Sequence, residues 1–106
     1  MNFHPNLKSA LIALTLACAP HLAAAQDANI ARSLAATCAN CHGTDGRAQG
    51  DMRPLAGMPA QTHLAMLAGF RDGTLPATVM HQLVKGYSDE QLALIAGYYA
   101  AQSPRR

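Results

Sequence analysis

The residues with the clearest chemistry in this sequence form the pentapeptide Cys38-Ala39-Asn40-Cys41-His42. Two thiols three positions apart near the end of a helix lie on one side of it, where both can bond to the vinyl groups at one edge of a haem. The imidazole that follows directly can reach under the ring and ligate the iron. The spacing therefore predicts covalent haem attachment through Cys38 and Cys41, with His42 as an axial ligand.

Two other uses of a Cys-x-x-Cys pair fit this sequence less well. A zinc site needs four ligands and commonly a second pair of Cys or His residues, but only the isolated His63 and His81 follow His42. A thiol oxidoreductase places its cysteine pair at a strand-to-helix junction of a βαβ unit. The chain has no run rich in Val, Ile and Thr that would form such a sheet. Haem attachment is the favoured interpretation.

The first 25 residues have the pattern of a cleaved export signal. Lys8 supplies the positive charge, residues 10–17 form an apolar run too short to span a bilayer, and Ala23-Ala24-Ala25 offers a small-residue cleavage site. We therefore expect a signal peptide over residues 1–25. A single domain of residues 26–106 would then be located in the periplasm, with no membrane span of its own.

Cys18 lies within this predicted signal. The tripeptide Leu16-Ala17-Cys18 faintly resembles a lipoprotein processing site, but Thr15 stands where a leucine is usual, so ordinary removal is favoured over lipidation. The mature chain then keeps two cysteines, and both are assigned to haem. No disulfide is expected, although the compartment is oxidising.

Composition limits both the core and the partners. With no Trp and only 2 Phe, so short a chain cannot build a large core from side chains alone. We expect haem to fill the core and the chain without haem to be largely unfolded. The formal net charge is +2, and loss of Lys8 lowers it further. This balance suits neither nucleic-acid binding nor a polybasic membrane anchor.

Helical periodicity and end signals recur through the mature chain. The first predicted helix carries the cysteines, and the last begins at a capping box formed by Ser88 and Gln91. We predict helices over residues 27–37 and 61–70, a short one starting at Pro76, and a last one after Ser88. The inward side of the last helix is predicted to be Leu92, Ile95, Ala96 and Tyr99.

The last helix also contains Gly97, which costs a helix about 1 kcal/mol relative to alanine. A close helix crossing would explain this residue. We therefore expect Tyr99 and Ile95 to pack against Ile30 and Leu34 of the first helix at Gly97.

The second axial ligand must come from the opposite side of the ring. Met52 and Met58 lie in the segment expected on the His42 side, and Met66 lies in a helix expected at the ring edge. Met80 follows His42 by 38 residues, enough chain to return across the ring. Spacing favours Met80 and leaves two histidines open. The full set of candidates is Met52, Met58, Met66, Met80, His63 and His81.

Three further residues have predicted roles beside the haem. A ligating imidazole needs a partner for its second ring nitrogen. The candidate is the Pro54 carbonyl, although the same proline could simply end a loop. Arg53 and Arg71 could pair with the haem propionates or remain in water.

Six segments together carry a family resemblance. They are Cys38-Ala39-Asn40-Cys41-His42-Gly43, Pro54-Leu55-Ala56-Gly57, Phe70-Arg71-Asp72-Gly73, Met80, Gly86-Tyr87-Ser88-Asp89-Glu90 and Ile95-Ala96-Gly97-Tyr98-Tyr99. The mature chain resembles the class I c-type cytochromes, particularly the small cytochrome subunit of flavocytochrome c sulfide dehydrogenase. Residues 77–88 point to that subgroup. The chain is also similar to one half of a dihaem cytochrome c4, but its single motif can hold only one haem.

The resemblance implies an all-α class I cytochrome c fold, with three to four helices around one covalently bound haem. It also implies that His42 and Met80 are the axial ligands and that the Pro54 carbonyl accepts the His42 proton. The implied function is single-electron transfer as the cytochrome subunit of a flavoprotein sulfide dehydrogenase, with no catalytic site of its own. The alternatives are a freestanding soluble electron shuttle between respiratory redox complexes and a gas-sensing or peroxidatic haem with an open distal site.

Overall fold

The computed structural model describes residues 26–104. The predicted signal and Cys18 lie outside the described residues. Within them the chain is helical with no strand, which confirms the predicted all-α class. The helices are α1 over residues 26–42, α2 (Ala60–Asp72), α3 (Met80–Leu83) and α4 (Asp89–Ala100), with 3-10 turns at Thr44–Gly46 and Val84–Gly86.

Helix α1 continues past its predicted end to residue 42. The prediction had stopped at Thr37, but the helix carries the whole cysteine motif in its last turns. Cys38, Cys41 and His42 therefore have helical spacing, and the thiols at positions i and i+3 lie on the same side. The loop to α2 begins directly after this motif.

Helix α2 contains the predicted segment and extends it at both ends. Its C-cap is Gly73, which has φ 82 in the left-handed region that favours glycine. Its buried residues include His63 and Leu67, which lie four positions apart and so share one side of the helix.

Helix α3 begins at Met80 and not at Pro76, so the predicted start is wrong. The first helical hydrogen bonds run from the N–H groups of Gln82 and Leu83 to the Val79 carbonyl. The Leu75 N–H donates to Gly69 O at 3.0 Å, which ties the preceding chain back to α2. The segment after Leu75 therefore leaves α2 as a connection, and helical bonding starts only at Val79.

Helix α4 matches its prediction closely. The Gln91 N–H donates to Ser88 Oγ at 3.2 Å, and the Ser88 N–H donates to Gln91 Oε1 at 2.9 Å, which completes the capping box. The inward side of the helix is also confirmed, because all of its predicted members are buried. They are Leu92, Ile95, Ala96 and Tyr99.

The contact between α1 and α4 differs from the prediction on the α1 side. Tyr99 is fully buried, and its hydroxyl donates to Ala35 O at 2.7 Å. Ala31 and Ala35 are buried, whereas Ile30 is 43% exposed. Ile30 precedes Ala31, and one residue turns about 100° around a helix, so it lies off the packed side. Ala35 thus meets Tyr99 on the packed side of α1, and Leu34 packs against the same core as predicted, whereas the prediction for Ile30 is wrong.

The glycine that closely approaches a side chain of α4 is Gly46 and not Gly97. Apart from its chain neighbours and the nearby backbone of its own helix, no described atom lies within 4 Å of where a Cβ at Gly97 would stand. A Cβ at Gly46 would lie 2.8 Å from Tyr99 Cδ1 and 2.7 Å from the Ala56 nitrogen. The predicted crossing at Gly97 is therefore wrong, and the close approach is between α4 and the loop after the cysteine motif.

Candidate haem-binding site

A cavity of about 230 Å³ opens between the end of α1, α2, the α3 segment and α4. Four residues predicted to hold haem line this one cavity: Cys38, Cys41, His42 and Met80. Most of the rest of its wall is hydrophobic, including Leu55, Leu67, Phe70, Val84 and Ile95. Two thiols, an imidazole and a thioether in one apolar cavity are the donor set that covalent haem requires, so these residues fit the group.

The two cysteines are free and lie at different depths. Cys38 is half-buried and packs against the hydrophobic core, whereas Cys41 is exposed. Burial raises the pKa of the Cys38 thiol. Both thiols line the cavity at the end of α1, where they can reach one edge of a haem.

His42 is oriented by a backbone carbonyl, as predicted in kind. The acceptor is different, because His42 Nδ1 lies 2.7 Å from Arg53 O and not from the Pro54 carbonyl. The N–H groups of Leu55 and Ala56 both donate to Gly46 O. These hydrogen bonds place the carbonyl of Arg53, one residue before Pro54, next to His42. The prediction for Pro54 is therefore wrong. With the proton on Nδ1, Nε2 is left with a lone pair for a metal.

The candidates for the second ligand separate by position. His81, next to Met80, does not line the cavity, whereas Met80 at the start of α3 does. Met52 directly precedes Arg53, whose carbonyl meets His42, so Met52 lies in the loop on the His42 side as predicted. Met58, Met66 and His63 also line the cavity.

The two arginines have different surroundings. Arg71 donates to an Asp89 carboxylate oxygen and, at 3.0 Å, to Tyr87 O. It therefore ties the end of α2 to the start of α4 and does not line the cavity. Arg53 does line the cavity.

A polar cluster that the sequence did not reveal holds the loop after His42. The Tyr98 hydroxyl donates to Asp45 Oδ1 at 2.6 Å, and Arg47 donates to Asp45 Oδ2 and to Ser103 O, both at 3.1 Å. The hydrogen bond from Tyr98 is the largest cause that lowers the pKa of the Asp45 carboxyl. The turn-forming residues at positions 43–47 indicate a loop here, but no local pattern identifies its distant partners.

His63 is a polar residue that is buried among the described residues, with 4% of its surface exposed. It lines the cavity, and its ring centroid lies 5.9 Å from that of Tyr99. Burial lowers the pKa of the His63 imidazole, and the nearby His42 lowers it further. Helical periodicity placed His63 on α2 but could not show that its side chain is enclosed.

No protein-family model matches the chain. Within residues 26–104, none of the helices has the length and apolar character needed to cross a membrane. The chain is 37% identical to cytochrome c-554(548) of Halomonas halodenitrificans over 82 residues, which cover 74% of this chain and 99% of that protein.

Two further relatives are named for different cytochromes. The cytochrome subunit of sulfide dehydrogenase of Chlorobaculum tepidum is 35% identical over 72 residues, which cover 68% of this chain and 66% of that protein. Cytochrome c4 of Pseudomonas aeruginosa is 37% identical over 97 residues, which cover 91% of this chain and 47% of that protein. The chain thus spans about half the length of that cytochrome c4.

These relatives and the donor set of the cavity agree on the cofactor. Near-complete coverage of a relative at 37% identity, together with one Cys-x-x-Cys-His motif at the wall of an apolar cavity, accounts for one covalently bound haem c. The chain belongs to the class I c-type cytochromes and is a monohaem electron carrier.

Proposed function

We propose that Cys38 and Cys41 hold the haem covalently and that His42 and Met80 are its axial ligands, in a protein that passes single electrons in the periplasm. The observation that carries this assignment is the cavity that all four residues line. When bound, haem supplies an iron that alternates between the ferric and ferrous states. The protein fixes both ligands, so that little rearranges when an electron arrives or leaves.

Each part of the wall has a role in this proposal. The Arg53 carbonyl holds the proton of His42 Nδ1, which keeps Nε2 directed to the iron. Leu67, Phe70 and Val84 exclude water from the ring. An apolar surrounding and thioether ligation both favour the ferrous state and raise the redox potential.

Ligation by both residues leaves the iron with no open position. We expect the holoprotein to be six-coordinate and low-spin in both redox states, and the ferrous form not to bind carbon monoxide at neutral pH. Absorption spectra with and without the gas measure this directly. Rapid formation of a carbon monoxide adduct would favour the gas-sensing or peroxidatic alternative.

The finer proposal is that this chain is the cytochrome subunit of a flavoprotein sulfide dehydrogenase. A relative is named for that role. A saturated iron has no site for sulfide, and the sequence has no Gly-x-Gly-x-x-Gly fingerprint for a flavin. Two-electron sulfide oxidation therefore needs a second cofactor on another chain, from which this protein would accept electrons one at a time.

The surface at the cavity rim suits such a partner. Three large apolar side chains line the cavity and are also exposed to solvent. Soft, apolar side chains at an exposed rim are typical of protein interaction sites. These residues are Met52, Val79 and Leu83, and we call them the rim patch.

The experiment mixes purified holocytochrome with sulfide, with and without the flavoprotein subunit, and follows haem reduction. Catalytic reduction only in the mixture, with a stable complex on gel filtration, is the expected result. Leu83→Glu should weaken the complex, since Leu83 is 47% exposed in the rim patch. Ile30→Glu is the matched control, because Ile30 is 43% exposed on α1 and does not line the cavity.

The alternative is a freestanding shuttle between respiratory redox complexes. One observation supports keeping it: the match covers 99% of cytochrome c-554(548), whose name carries no flavoprotein partner, but only 66% of the sulfide dehydrogenase subunit. Equal rates of reduction with and without the flavoprotein, or no complex on gel filtration, would make the shuttle the better proposal.

We also propose that residues 1–25 are a cleaved signal and that residues 26–106 form the mature domain. The pattern around Lys8 and the alanines before Gln26 supports this. The intact mass of the protein from a periplasmic extract tests it. A mass that includes an acylated Cys18 would contradict ordinary cleavage.

A further inference from the structure

His63 is a buried titratable group that haem attachment and ligation do not use. It projects from α2 into the wall of the haem cavity and is 4% exposed. Its Nδ1 is buried and has no hydrogen-bond partner among the described residues. Buried polar atoms in folded proteins are nearly always paired, so an unpaired one needs an explanation.

The two cavity histidines differ in how their protons are held. In His42, Nδ1 lies 2.7 Å from the Arg53 carbonyl oxygen, an acceptor that holds a proton on Nδ1. In His63, Nδ1 has no hydrogen-bond partner within the described residues. The state of the His63 ring therefore depends on the charge that the cavity contains.

None of the protein groups that line the cavity with His63 changes its charge when an electron arrives, so the charge that changes is that of the iron. On α1 these groups are Cys38 and Cys41, which become thioethers in the holoprotein, and His42. On α4 the Tyr99 hydroxyl is committed to Ala35 O, and burial raises the pKa of the Tyr99 phenol. Arg53 and Tyr87 line the same cavity from the connecting segments.

No Asp or Glu lines the cavity in the part of the chain that the structure describes. The acidic groups to be considered are then the two propionates of haem itself. A positive charge on His63 would have no carboxylate of the described protein to neutralise it. It would interact with the haem and its iron across an apolar space, where screening by water is weak.

We propose that His63 is a proton-binding site coupled to the haem, so that electron uptake by this cytochrome promotes proton uptake. The inference rests on haem occupying the cavity, as proposed above. When a redox partner gives one electron to the ferric iron, the positive charge in the cavity falls by one unit. At a pH between the pKa values of the ferric and ferrous forms, the His63 imidazole then takes a proton from solvent and releases it when the electron is passed on.

The sign and size of the effect follow from charge interactions. At an effective dielectric constant of about 20, one unit charge about 10 Å away changes proton affinity by about tenfold. A separation of this order between His63 and the iron would make the ferrous protein bind the proton about ten times more tightly than the ferric protein. A tenfold difference for one electron corresponds to about 59 mV of redox potential.

The pH window lies below the ordinary histidine value, because burial lowers the pKa of His63. Above the pKa of the ferrous form, this group leaves the potential independent of pH. As the pH falls from there to the lower pKa of the ferric form, the potential should rise. Below both values it should level off again.

The test measures the redox potential of the holoprotein against pH, between about pH 4 and pH 8, for three proteins. They are the wild type, His63→Gln and His81→Gln. The last is a matched control, since His81 does not line the cavity. We expect the wild type and His81→Gln to share the rise at low pH and His63→Gln to lose it. Propionate titration remains in all three, so the difference between the curves isolates His63.

Parallel curves for the wild type and His63→Gln would overturn the proposal. Loss of the far-red sulfur-to-iron band in ferric His63→Gln would also overturn it, because the change in potential would then come from disturbed methionine ligation and not from a lost proton site. If His63→Gln fails to take up haem, nuclear magnetic resonance of the wild type decides. Equal pKa values for the His63 ring in the ferric and ferrous forms would refute the coupling.

The same samples keep the two proposals apart. Covalent haem and the far-red band in the wild type test the proposed attachment and ligation. The difference between the potential curves tests only the role of His63. A wild type with normal haem and a flat difference curve would leave the proposed function intact and reject the coupling.

Discussion

The two sides of the haem cavity are built differently. On the His42 side, the loop after α1 is held by hydrogen bonds from Tyr98 to Asp45, from Leu55 and Ala56 to Gly46 O, and from His42 to Arg53 O. On the Met80 side, α3 has four residues, and the side chains of Leu83 and of Val79, which directly precedes the helix, are exposed. The protein thus positions one proposed ligand with its own contacts and leaves the other on a short, open segment.

This difference indicates how the haem contributes to the fold. The His42 side has a network of contacts that does not involve haem. The α3 segment has apolar side chains that face either solvent or the ring, and haem can cover them. We infer that haem stabilises the Met80 side most, since Val79 and Leu83 are exposed there and line the cavity that the ring would fill.

The largest expected effect is loss of haem itself. The double variant Cys38→Ala, Cys41→Ala removes both attachment points and should yield a chain without bound haem that is largely unfolded, because a chain this short cannot stabilise itself without the ring. Far-UV circular dichroism measures the loss of helix against the holoprotein. Helical content close to that of the holoprotein would show that both sides of the cavity fold without haem.

Met80→Ala should remove the proposed ligand on the open side and leave the His42 side intact. We expect complete loss of the weak far-red sulfur-to-iron band in the ferric protein. The redox potential should fall by a sizeable part of the range of about 0.8 V that axial ligands span. Absorption spectra and redox titration measure both.

Met66→Ala and Met58→Ala are the matched controls for this prediction, because both methionines line the same cavity. Both variants should retain the band. If either of them loses it while Met80→Ala keeps it, the ligand assignment is wrong.

Tyr99→Ala tests the packed side of the molecule. Removing a fully buried aromatic ring should lower the free energy of unfolding by about 3–5 kcal/mol. Tyr99→Phe keeps the ring and loses only the hydrogen bond to Ala35 O, so it should cost about 1 kcal/mol. Denaturant unfolding of the holoproteins measures both, and a loss below about 0.5 kcal/mol for Tyr99→Ala would contradict the packing described above.

A pair of glycines gives the smallest and most local comparison. Gly46 and Gly73 both have positive φ, but only Gly46 is enclosed, because a Cβ added there would lie within 3 Å of Tyr99 and Leu55 atoms. Gly73→Ala should cost about 1–2 kcal/mol for the left-handed backbone alone. Gly46→Ala should cost about 1–3 kcal/mol more, from overpacking. Equal decreases in the free energy of unfolding for the two variants, measured with denaturant, would show that the loop shifts away from α4 to accommodate the added methyl group.

Much of the fold could be predicted because its signals are local. The capping box at Ser88 and Gln91 depends on side chains three positions apart, and so does the spacing of Cys38 and Cys41. The inward side of α4 follows from helical periodicity. Such patterns depend on neighbours along the chain, so they can be read without knowing which elements meet.

The remaining features depend on contacts between distant segments. Anchoring of the loop at Gly46 O brings Arg53, not Pro54, to His42, and packing of Tyr99 selects Ala35 over Ile30. No local pattern encodes these contacts, because each depends on how segments that are distant in the sequence pack against one another.

The sequence by itself therefore determined the cofactor, the helical class and the residues available to hold the haem. Only the tertiary structure decided which carbonyl orients His42, where α3 begins and that His63 is enclosed in the cavity wall. The physical reason is range: covalent attachment and helix capping need residues a few positions apart, whereas burial and hydrogen bonding across a cavity need the whole fold to be in place.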